Sequence, residues 1–310
     1  MSAQLDNSRI SKHLGQTSEY KVQYDKSILV REPRQSNRTY LNIHDEALPI
    51  VGQDTWNNYE VTALTDGGVP VVGVAKVVYN CNSKYIVESK SFKLYFNTFN
   101  MTKMGVDEVA VRDNISKTAA RDLSELLETE VEVKVADSSR VATTTDDGRN
   151  TIFSTWHTFA GIKAETLEDI LDISKLQFVV YKETPSLLKV EGVAGERFYH
   201  SGLLRSLCRV TSQPDSGDVY IYFKGNKTPT PESLLEYIAS YREECHFHEE
   251  ICEALYKRLM DALEPDELFV RCLYARRGSC DILVDRATHD HLLSDDLRNV
   301  YKSHIKTPRQ

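Results

Sequence analysis

The chain carries a thiol and several charged side chains whose order along the sequence could serve a catalytic site. Cys208 is followed after a short turn by Asp215, and then by the pair His248-Glu249 and the run Arg276-Arg277-Gly278. A thiolate is strongly nucleophilic even when only a few per cent of the thiol is ionised, so Cys208 is a candidate for covalent catalysis. Local sequence alone also allows ordinary roles, namely a buried strand cysteine, a turn aspartate, a helix start and solvated surface cations.

A second polar segment lies in the first half of the chain and consists of Glu88-Ser89-Lys90-Ser91-Phe92-Lys93-Leu94-Tyr95. On its own it predicts a polar loop that runs into an amphipathic helix. The octamer resembles the signature ESKSxK(L/Y)(Y/F) of the 7-cyano-7-deazaguanine reductases (QueF), which reduce a nitrile to an amine with NADPH in the queuosine pathway. The order of Cys208, Asp215, Phe247-His248-Glu249 and Arg276-Arg277-Gly278 resembles the same family. The resemblance extends over nearly the whole chain and is weakest at about 137–170.

The resemblance implies covalent chemistry at Cys208. In the family the matching cysteine attacks the nitrile carbon and forms a thioimide, which accepts hydride better than the nitrile does. The aspartate that matches Asp215 transfers protons. An aspartic acid of ordinary pKa is only about 0.1% protonated at neutral pH, so we expect Asp215 to relay the proton of Cys208 to the nitrile nitrogen rather than to act as a standing acid.

The resemblance also implies which residues bind the two ligands. The residues expected to bind the substrate base are Val87, Glu88, Ser89, His248 and Glu249. The residues expected to bind NADPH are Ser89, Lys90, Arg277 and Gly278. A carboxylate suits a deazaguanine, which presents an amino group and a ring N–H on one edge, and a cation from each half suits the cofactor phosphates. Because the chain has no GxGxxG motif and no phosphate-binding loop, NADPH is expected from the resemblance alone.

Composition limits the partners and the location. The net charge of −8 argues against broad nucleic-acid binding. No apolar run is long enough to span a bilayer, and residues 1–15 lack the apolar middle of a secretory signal. Six cysteines without a CxxC pair predict reduced thiols in a cytoplasmic protein.

One group of residues near position 250 has the composition of a metal site. It consists of Cys245, His246, His248, Glu249 and Cys252. His248 and Cys252 would share one face of a helix, because they are four residues apart. The usual zinc spacings are nevertheless absent, and we expect no metal.

The apolar pattern predicts an α+β fold made of two related halves. In the first half, residues 59–65 and 69–79 predict a hairpin closed by Asp66-Gly67-Gly68, and a helix at 114–128 and a strand at 131–135 follow. In the second half, strands are predicted at 176–181, 203–210, 219–223, 268–274 and 281–284, with a turn at 213–217. Helices are predicted from Pro231, after the N-cap Thr230, and over 248–263.

Pattern and resemblance together imply two tandem tunnelling-fold (T-fold) modules, each with an antiparallel sheet and helices on one face. We expect an N-terminal extension (1–50), a first module that holds the octamer (51–136), a linker or insertion (137–175) with an exposed loop at 143–148, and a second module that holds Cys208 and Asp215 (176–310). Family members join module edges, so a homodimer with sites at module or subunit interfaces is expected.

The sequence therefore predicts an oxidoreductase that converts 7-cyano-7-deazaguanine to 7-aminomethyl-7-deazaguanine with two NADPH, for queuosine in tRNA. The alternatives are a non-reductive amidine-forming or amidinotransferase relative, a pterin-pathway hydrolase of the same fold, and a non-catalytic base-binding protein. The intact octamer argues against the amidine-forming relative, and the missing zinc-ligand pattern argues against the hydrolase. The presence of Cys208 and Asp215 argues against a non-catalytic protein. Two departures from the family lie near the expected ligands: the run 279–283 replaces a GLDINP-like run, and Ser216 replaces a common aromatic residue.

Overall fold

The architecture is that of a computed structural model, which describes residues 21, 23–44, 49–137, 158–209, 211–302 and 310. The strands of the first half are β1 (Arg31–Pro33), β2 (Val51–Leu64), β3 (Pro70–Asn80), β4 (Tyr85–Val87) and β5 (Val131–Ala136). Its helices are α1 (Gln35–Leu41), α2 (Ser89–Asn97) and α3 (Glu108–Leu127). The predicted loop at 143–148 lies outside the described residues.

The second half holds the remaining elements. Its strands are β6 (Thr158–Phe159), β7 (Ile162–Lys163), β8 (Glu165–Thr166), β9 (Val190–Glu191), β10 (Gly195–Cys208), β11 (Pro214–Gly225), β12 (Thr228–Pro229), β13 (Cys245–His246), β14 (Glu267–Tyr274) and β15 (Cys280–Ala287). Its helices are α4 (Leu167–Ile170), α5 (Pro231–Ala239), α6 (His248–Leu263) and α7 (Asp295–Arg298). Short 3₁₀ turns cover Lys26–Ile28, Ile173–Lys175, Pro185–Leu187, Ser240–Glu243 and Asp290–Leu292.

Among the described residues, one sheet of nine strands runs through both halves. Its order is β13-β10-β11-β14-β15-β2-β3-β5, and β8 also pairs with β10. The long strands pair antiparallel, whereas β8 and β13 run parallel to β10. The halves meet where β15 pairs with β2, from Cys280 opposite Asn58 to Ala287 opposite Val51.

Strand periodicity divides the core into two layers. Val219, Ile221 and Phe223 of β11 belong to the larger layer, which also contains residues of α2, α3, α5 and α6. The alternate residues Tyr220 and Tyr222 belong to a smaller layer on the other side, which includes a residue of α7. Because successive side chains leave opposite faces of a strand, β11 is buried on both faces. The described residues therefore form a mixed α+β fold around a mainly antiparallel sheet.

Most of the predicted elements are confirmed. The hairpin of β2 and β3 closes through Asp66-Gly67-Gly68, where Gly68 takes a φ of +85° that favours glycine. Thr230 caps α5, since its side chain accepts a hydrogen bond from the N–H of Ser233. Within the described part of the chain, no helix is long and apolar enough to cross a membrane.

Two predicted elements are wrong. Residues 176–181 alternate between half-buried and exposed but form no strand, because no neighbouring strand pairs with them along the described chain. The turn predicted at 213–217 is misplaced, because residues 214–217 belong to β11 and Asp215 pairs with Ser206 within the β10–β11 ladder. The reason is that Ser212 adopts the left-handed φ of +53° that turns the chain. An alternating apolar pattern and a turn-forming composition therefore do not show which strand a segment will pair with.

Lys76 on β3 anchors the segment around α7. Its ammonium donates to the backbone carbonyls of Asp296, Asn299 and Lys302, at 2.5, 2.8 and 2.8 Å. We expect Lys76→Met to lower the free energy of unfolding by about 2 kcal/mol, because three carbonyls lose a charged donor. Urea unfolding measures this change, with the exposed Lys117→Met as the control, expected to stay within about 0.5 kcal/mol of wild type. Equal effects of the two substitutions would contradict the expectation.

Candidate active site

A cavity of about 370 Å³ opens between the two halves of the chain. The first half contributes the end of β4 and the start of α2, and the second half contributes the β10–β11 turn, the start of α6 and the β14–β15 loop. The residues selected from the sequence that line it are Val87, Ser89, Lys90, Cys208, Asp215, His248, Glu249, Arg277 and Gly278. The fold therefore brings together every selected residue except Glu88.

Cys208 ends β10, and its half-buried side chain lines the cavity. The turn that follows fixes its backbone: its N–H donates to the carbonyl of Gln213 at 2.8 Å, and its carbonyl accepts from the N–H of Ser212 at 2.9 Å. All six cysteines are free, and Cys208 and Cys245 are the two that are not fully buried. A thiol held at a strand end beside a cavity is well placed for covalent chemistry.

The carboxyl group of Asp215 is buried and faces the side chains of Arg277 and His248. The Arg277 guanidinium donates to its Oδ1, and Nε2 of His248 lies 3.4 Å from its Oδ2. Burial raises the pKa of Asp215, but hydrogen bonds and charges from His248 and Arg277 outweigh it, so the pKa lies below its ordinary value. Asp215 is therefore a carboxylate at neutral pH, ready to accept a proton.

His248 and Glu249 are the first two residues of α6. The helix start is fixed by Glu250, whose carboxylate accepts from the N–H of Phe247 at 2.9 Å. The His248 ring packs on Tyr274 of β14, with ring centroids 4.1 Å apart and planes tilted by 42°. This packing holds the imidazole between the sheet and Asp215.

Glu249 is a buried carboxyl group of the cavity wall with an unsatisfied oxygen. It is 3% exposed, and its Oε1 has no hydrogen-bond partner among the described residues. Burial first, and then the negative charge of Asp54, raises the pKa of Glu249 to about 8, although Arg34 and Arg286 oppose the rise. A buried carboxyl oxygen without a donor is suited to a ligand that brings an N–H group.

Beneath Glu249 lies a buried charge cluster that the sequence did not assign to the site. It consists of Arg34, Arg38, Arg286, Asp54 and Glu253. Glu253 lies one helical turn after Glu249 and accepts from the guanidinium groups of Arg38 and Arg286, at 2.9 Å each. The cluster fixes α6 against β2, β15 and α1.

Glu88 caps α2 instead of lining the cavity. Its carboxylate accepts from the backbone N–H groups of Lys90 at 2.9 Å and Ser91 at 2.8 Å, which satisfies two donors at the start of the helix. This cap fixes the orientation of Ser89 and Lys90, which do line the cavity.

Lys93 joins Lys90 and Arg277 in the cavity wall, so three cations from both halves surround the opening. Gly278 has a φ of +62°, and a Cβ there would lie 2.6 Å from Nζ of Lys93. The positive φ favours glycine at this turn, and any larger residue would also displace the end of the Lys93 side chain. Lys93 lies inside the octamer and could have been selected from it.

The run that departs from the family pattern also contributes to the wall. Cys280, Asp281 and Ile282 line the cavity, whereas Leu283 is buried in the smaller core layer. Asp281 is held from β2, where Asn57 and Tyr59 donate to its carboxylate at 2.7 and 2.6 Å. Residues 279–283 were predicted from the sequence to lie near the ligands, but no role was predicted for Asp281.

The metal-like group near position 250 is not arranged as a ligand set. Within the described ranges, no three His, Cys, Asp or Glu side chains are grouped so that they could hold a metal ion. The ring nitrogens of His246 lie 3.3 Å from Glu244 and 3.2 Å from Glu250. Cys252 is buried, and its thiol lies near two strand carbonyls.

Comparison with known proteins places the chain in a family. Residues 20–135 match a family described as "Nitrile reductase, 7-cyano-7-deazaguanine-reductase N-term", and residues 214–292 match one described as "QueF-like protein". Curated relatives from Legionella pneumophila (strain Lens) and Ralstonia nicotianae are each 36% identical, over 89% and 92% of this chain and 89% and 96% of theirs. Both are named "NADPH-dependent 7-cyano-7-deazaguanine reductase". The chain therefore belongs to the NADPH-dependent 7-cyano-7-deazaguanine reductase family.

One solved structure also aligns with part of the chain, the archaeosine synthase QueF-Like in its apo form. The alignment covers 32% of this chain and 97% of that one, at 18% identity and a TM-score of 0.28. A likeness this weak adds nothing to the description of the fold.

We expect Glu249→Gln to become more stable than wild type as the pH rises. The folded-state pKa of Glu249, about 8, lies above the ordinary value of 4.5, so the folded protein keeps a proton that the unfolded chain releases. The stability from this proton is fully present below pH 4.5 and is lost as the pH rises through 8. Urea unfolding at several pH values measures the difference between variant and wild type, which should increase from acid to alkaline pH.

The matched control for this experiment is Glu191→Gln, at an exposed position on β9. Its difference from wild type should not vary with pH. A pH-independent difference for Glu249→Gln would show that the carboxyl group has an ordinary pKa in the folded protein.

Proposed function

We propose that this protein reduces 7-cyano-7-deazaguanine to 7-aminomethyl-7-deazaguanine with two NADPH, as a step towards queuosine in tRNA. The observation that carries the proposal is the cavity in which Cys208, Asp215 and Glu249 meet beside Lys90 and Arg277. It holds a nucleophile, a proton acceptor, an unpartnered acceptor for a base and cations for phosphates. Membership of the reductase family supports the same reaction.

In the proposed mechanism Cys208 attacks the nitrile carbon. A carbon–sulfur bond forms, one π bond of the nitrile breaks, and the nitrogen takes up a proton, which gives a thioimide. Asp215 accepts the thiol proton and delivers it to that nitrogen; its lowered pKa keeps it in the carboxylate form that this relay needs, although it also makes the group a weaker base.

Two reductions follow, and NADPH supplies the hydride for each. The first hydride adds to the thioimide carbon and a proton from solvent adds to the nitrogen, which gives a thiohemiaminal. Departure of the Cys208 thiolate then leaves an imine, which the second hydride and a proton from solvent convert to the amine. The thiolate is regenerated, so Cys208 is consumed and restored in each turnover.

The substrate base is proposed to lie against the start of α6. Its amino group and ring N–H would donate to Glu249, whose Oε1 accepts no hydrogen bond from the described residues. His248, Val87 and Ser89 complete the contact surface. Glu88 remains a proposed substrate residue, and its cap on α2 supports an indirect contribution through Ser89.

The cofactor phosphates are proposed to contact Ser89, Lys90, Arg277 and Gly278. Lys93 fits the same role, because it stands against Gly278 in the wall. Three cations from the two halves suit a ligand that carries several phosphate charges. In the protein without ligands Arg277 pairs with Asp215, so the cofactor and the carboxylate compete for one guanidinium group.

The proposal includes two tandem T-fold modules, 51–136 and 176–310, with an extension at 1–50 and a linker or insertion at 137–175. Support comes from the order of elements, in which a long hairpin precedes two helices in each half, and from the β15–β2 pairing that joins the halves. A homodimer, without nucleic acid or membrane contact, is also proposed. The six free cysteines agree with the proposed cytoplasmic location.

We expect purified protein mixed with the nitrile to oxidise two NADPH for each amine formed. The reason is that reduction of a nitrile to an amine takes two hydrides, and each NADPH supplies one. Absorbance of NADPH and mass spectrometry of the product measure the ratio, with Cys208→Ala as the inactive control. A stable adduct at Cys208 without NADPH oxidation would instead support a non-reductive relative.

We expect Asp215→Asn to slow adduct formation at Cys208 by about 10² to 10⁴-fold, because the variant cannot relay the proton. Intact-protein mass spectrometry after mixing with the nitrile, without NADPH, measures this rate. Alkylation of Cys208 by iodoacetamide should shift to lower pH in the same variant, because a negative charge beside the thiol has been removed.

The matched control for the relay is Asp66→Asn, at an exposed turn position. It should leave both the adduct rate and the pH dependence of alkylation unchanged. An Asp215→Asn variant that alkylates Cys208 with the wild-type pH dependence, and forms the adduct at the wild-type rate, would rule out the relay.

A further inference from the structure

His246 stands next to Cys208 in the sheet, although the two are far apart in sequence. Strand β13 runs parallel to the end of β10, and His246 is the register partner of Cys208. Neighbouring strands lie about 4.8 Å apart, so register partners are adjacent residues. Both residues line the cavity. The proposed mechanism gives His246 no role.

Both ring nitrogens of His246 face carboxylates. Nε2 lies 3.3 Å from Oε2 of Glu244, and Nδ1 lies 3.2 Å from Oε2 of Glu250. An ionised carboxylate can only accept a hydrogen bond, and a neutral imidazole can donate from only one nitrogen. Two carboxylates on the two ring nitrogens therefore favour the imidazolium form. Burial lowers the pKa of His246, but hydrogen bonds and charges from the two glutamates outweigh it and raise the pKa to about 9.

Counted over Glu244, Glu250 and Arg209 together with His246, the charges sum to zero only while the His246 ring is protonated. Glu250 also accepts from Arg209 at 2.8 Å, so two carboxylates face two cations. Loss of the His246 charge leaves one net negative charge beside Cys208. Lys182 lies near enough to Glu244 to lower its pKa.

Asp215, His248 and Arg277 also line the cavity. These side chains interact with one another, because His248 and Arg277 both contact Asp215. The charge on the β13 side is therefore controlled by a separate set of residues.

We propose that His246 is a positioning residue that keeps a fixed positive charge beside the Cys208 thiol, and that Glu244, Glu250 and Arg209 hold it there. The inference rests on the proposed role of Cys208 as the nucleophile. The same cluster contacts the start of α6, because Glu250 also caps that helix through the N–H of Phe247, at 2.9 Å. A fixed cation near a thiol favours the thiolate, which is the reactive form.

The charge can be tested by alkylation of Cys208 with iodoacetamide as a function of pH, read by peptide mapping. His246→Gln should raise the pH midpoint of alkylation by about one unit, so that the rate near pH 7 falls about tenfold. The control is His291→Gln, at an exposed position where the ring faces Glu267. That control should alkylate like wild type.

A double substitution separates charge from structure. His246→Gln with Glu250→Gln returns the cluster to zero net charge, and the amide oxygen introduced by Glu250→Gln can still accept a hydrogen bond at the start of α6. The double variant should therefore regain an alkylation midpoint close to that of wild type. A purely structural role predicts the reverse, because two lost side chains should perturb Cys208 more than one.

Glu244→Gln tests the same charge with the imidazole still in place, in case His246→Gln folds poorly in thermal melts. Removing one negative charge should move the alkylation midpoint to lower pH. An unchanged midpoint in folded His246→Gln, a double variant that shifts as far as the single one, or an unchanged midpoint in Glu244→Gln would each overturn the inference.

The alkylation experiments test the role of His246 independently of the proposed reaction. Alkylation needs neither the nitrile nor NADPH. A wild-type protein that shows these charge effects but forms no adduct with the nitrile would contradict the proposed function and leave the role of His246 standing.

Discussion

The ion pair between Arg286 on β15 and Asp54 on β2 joins the two halves where water does not reach. Both side chains are 0% exposed, and Nη1 of Arg286 lies 2.9 Å from Oδ1 of Asp54. Either charge buried without the other would destabilise the fold by roughly 3–5 kcal/mol, which is typical of an unpaired buried ion. A slip of one residue between these strands would send the two side chains to opposite faces, so the pair specifies the register. Gly52 permits the approach, because a Cβ there would lie 2.0 Å from the carbonyl oxygen of Asp285.

The same charges determine how the site is presented. Arg286 also holds Glu253 on α6, one turn after Glu249, so the helix that carries the site is fixed to the strand junction. The electrostatics of the cavity then differ from wall to wall. Asp215 has cations within reach and a lowered pKa, whereas Glu249 faces Asp54 without a donor and has a raised pKa. The pKa values of two carboxyl groups in one cavity are thus shifted in opposite directions by their surroundings.

Local signals were sufficient for much of the fold, whereas the candidate site residues were selected through the resemblance to a family. Each of three correct predictions depends on residues that are close together in the sequence: the hairpin glycines, the Thr230-Pro231 start of α5 and the apolar period of α6. The octamer was likewise recognised as one continuous segment. Arg34 and Asp54 acquire their roles from each other and from Arg286, at separations of 20 and 232 residues. His246 likewise depends on a strand pairing with β10 that no local pattern reveals. Pairing across such distances is a property of the folded chain.

The junction of β15 with β2 has a consequence for synthesis on the ribosome. Residues 51–64 of β2 emerge early, but their partner on one side is made only when residues 280–287 appear. Until then one edge of β2 offers unpaired backbone groups, which is the kind of surface that recruits a strand from another chain. Asp54 also lacks its arginine on β15 throughout this period. A nascent chain therefore exposes this edge of β2 for most of its translation.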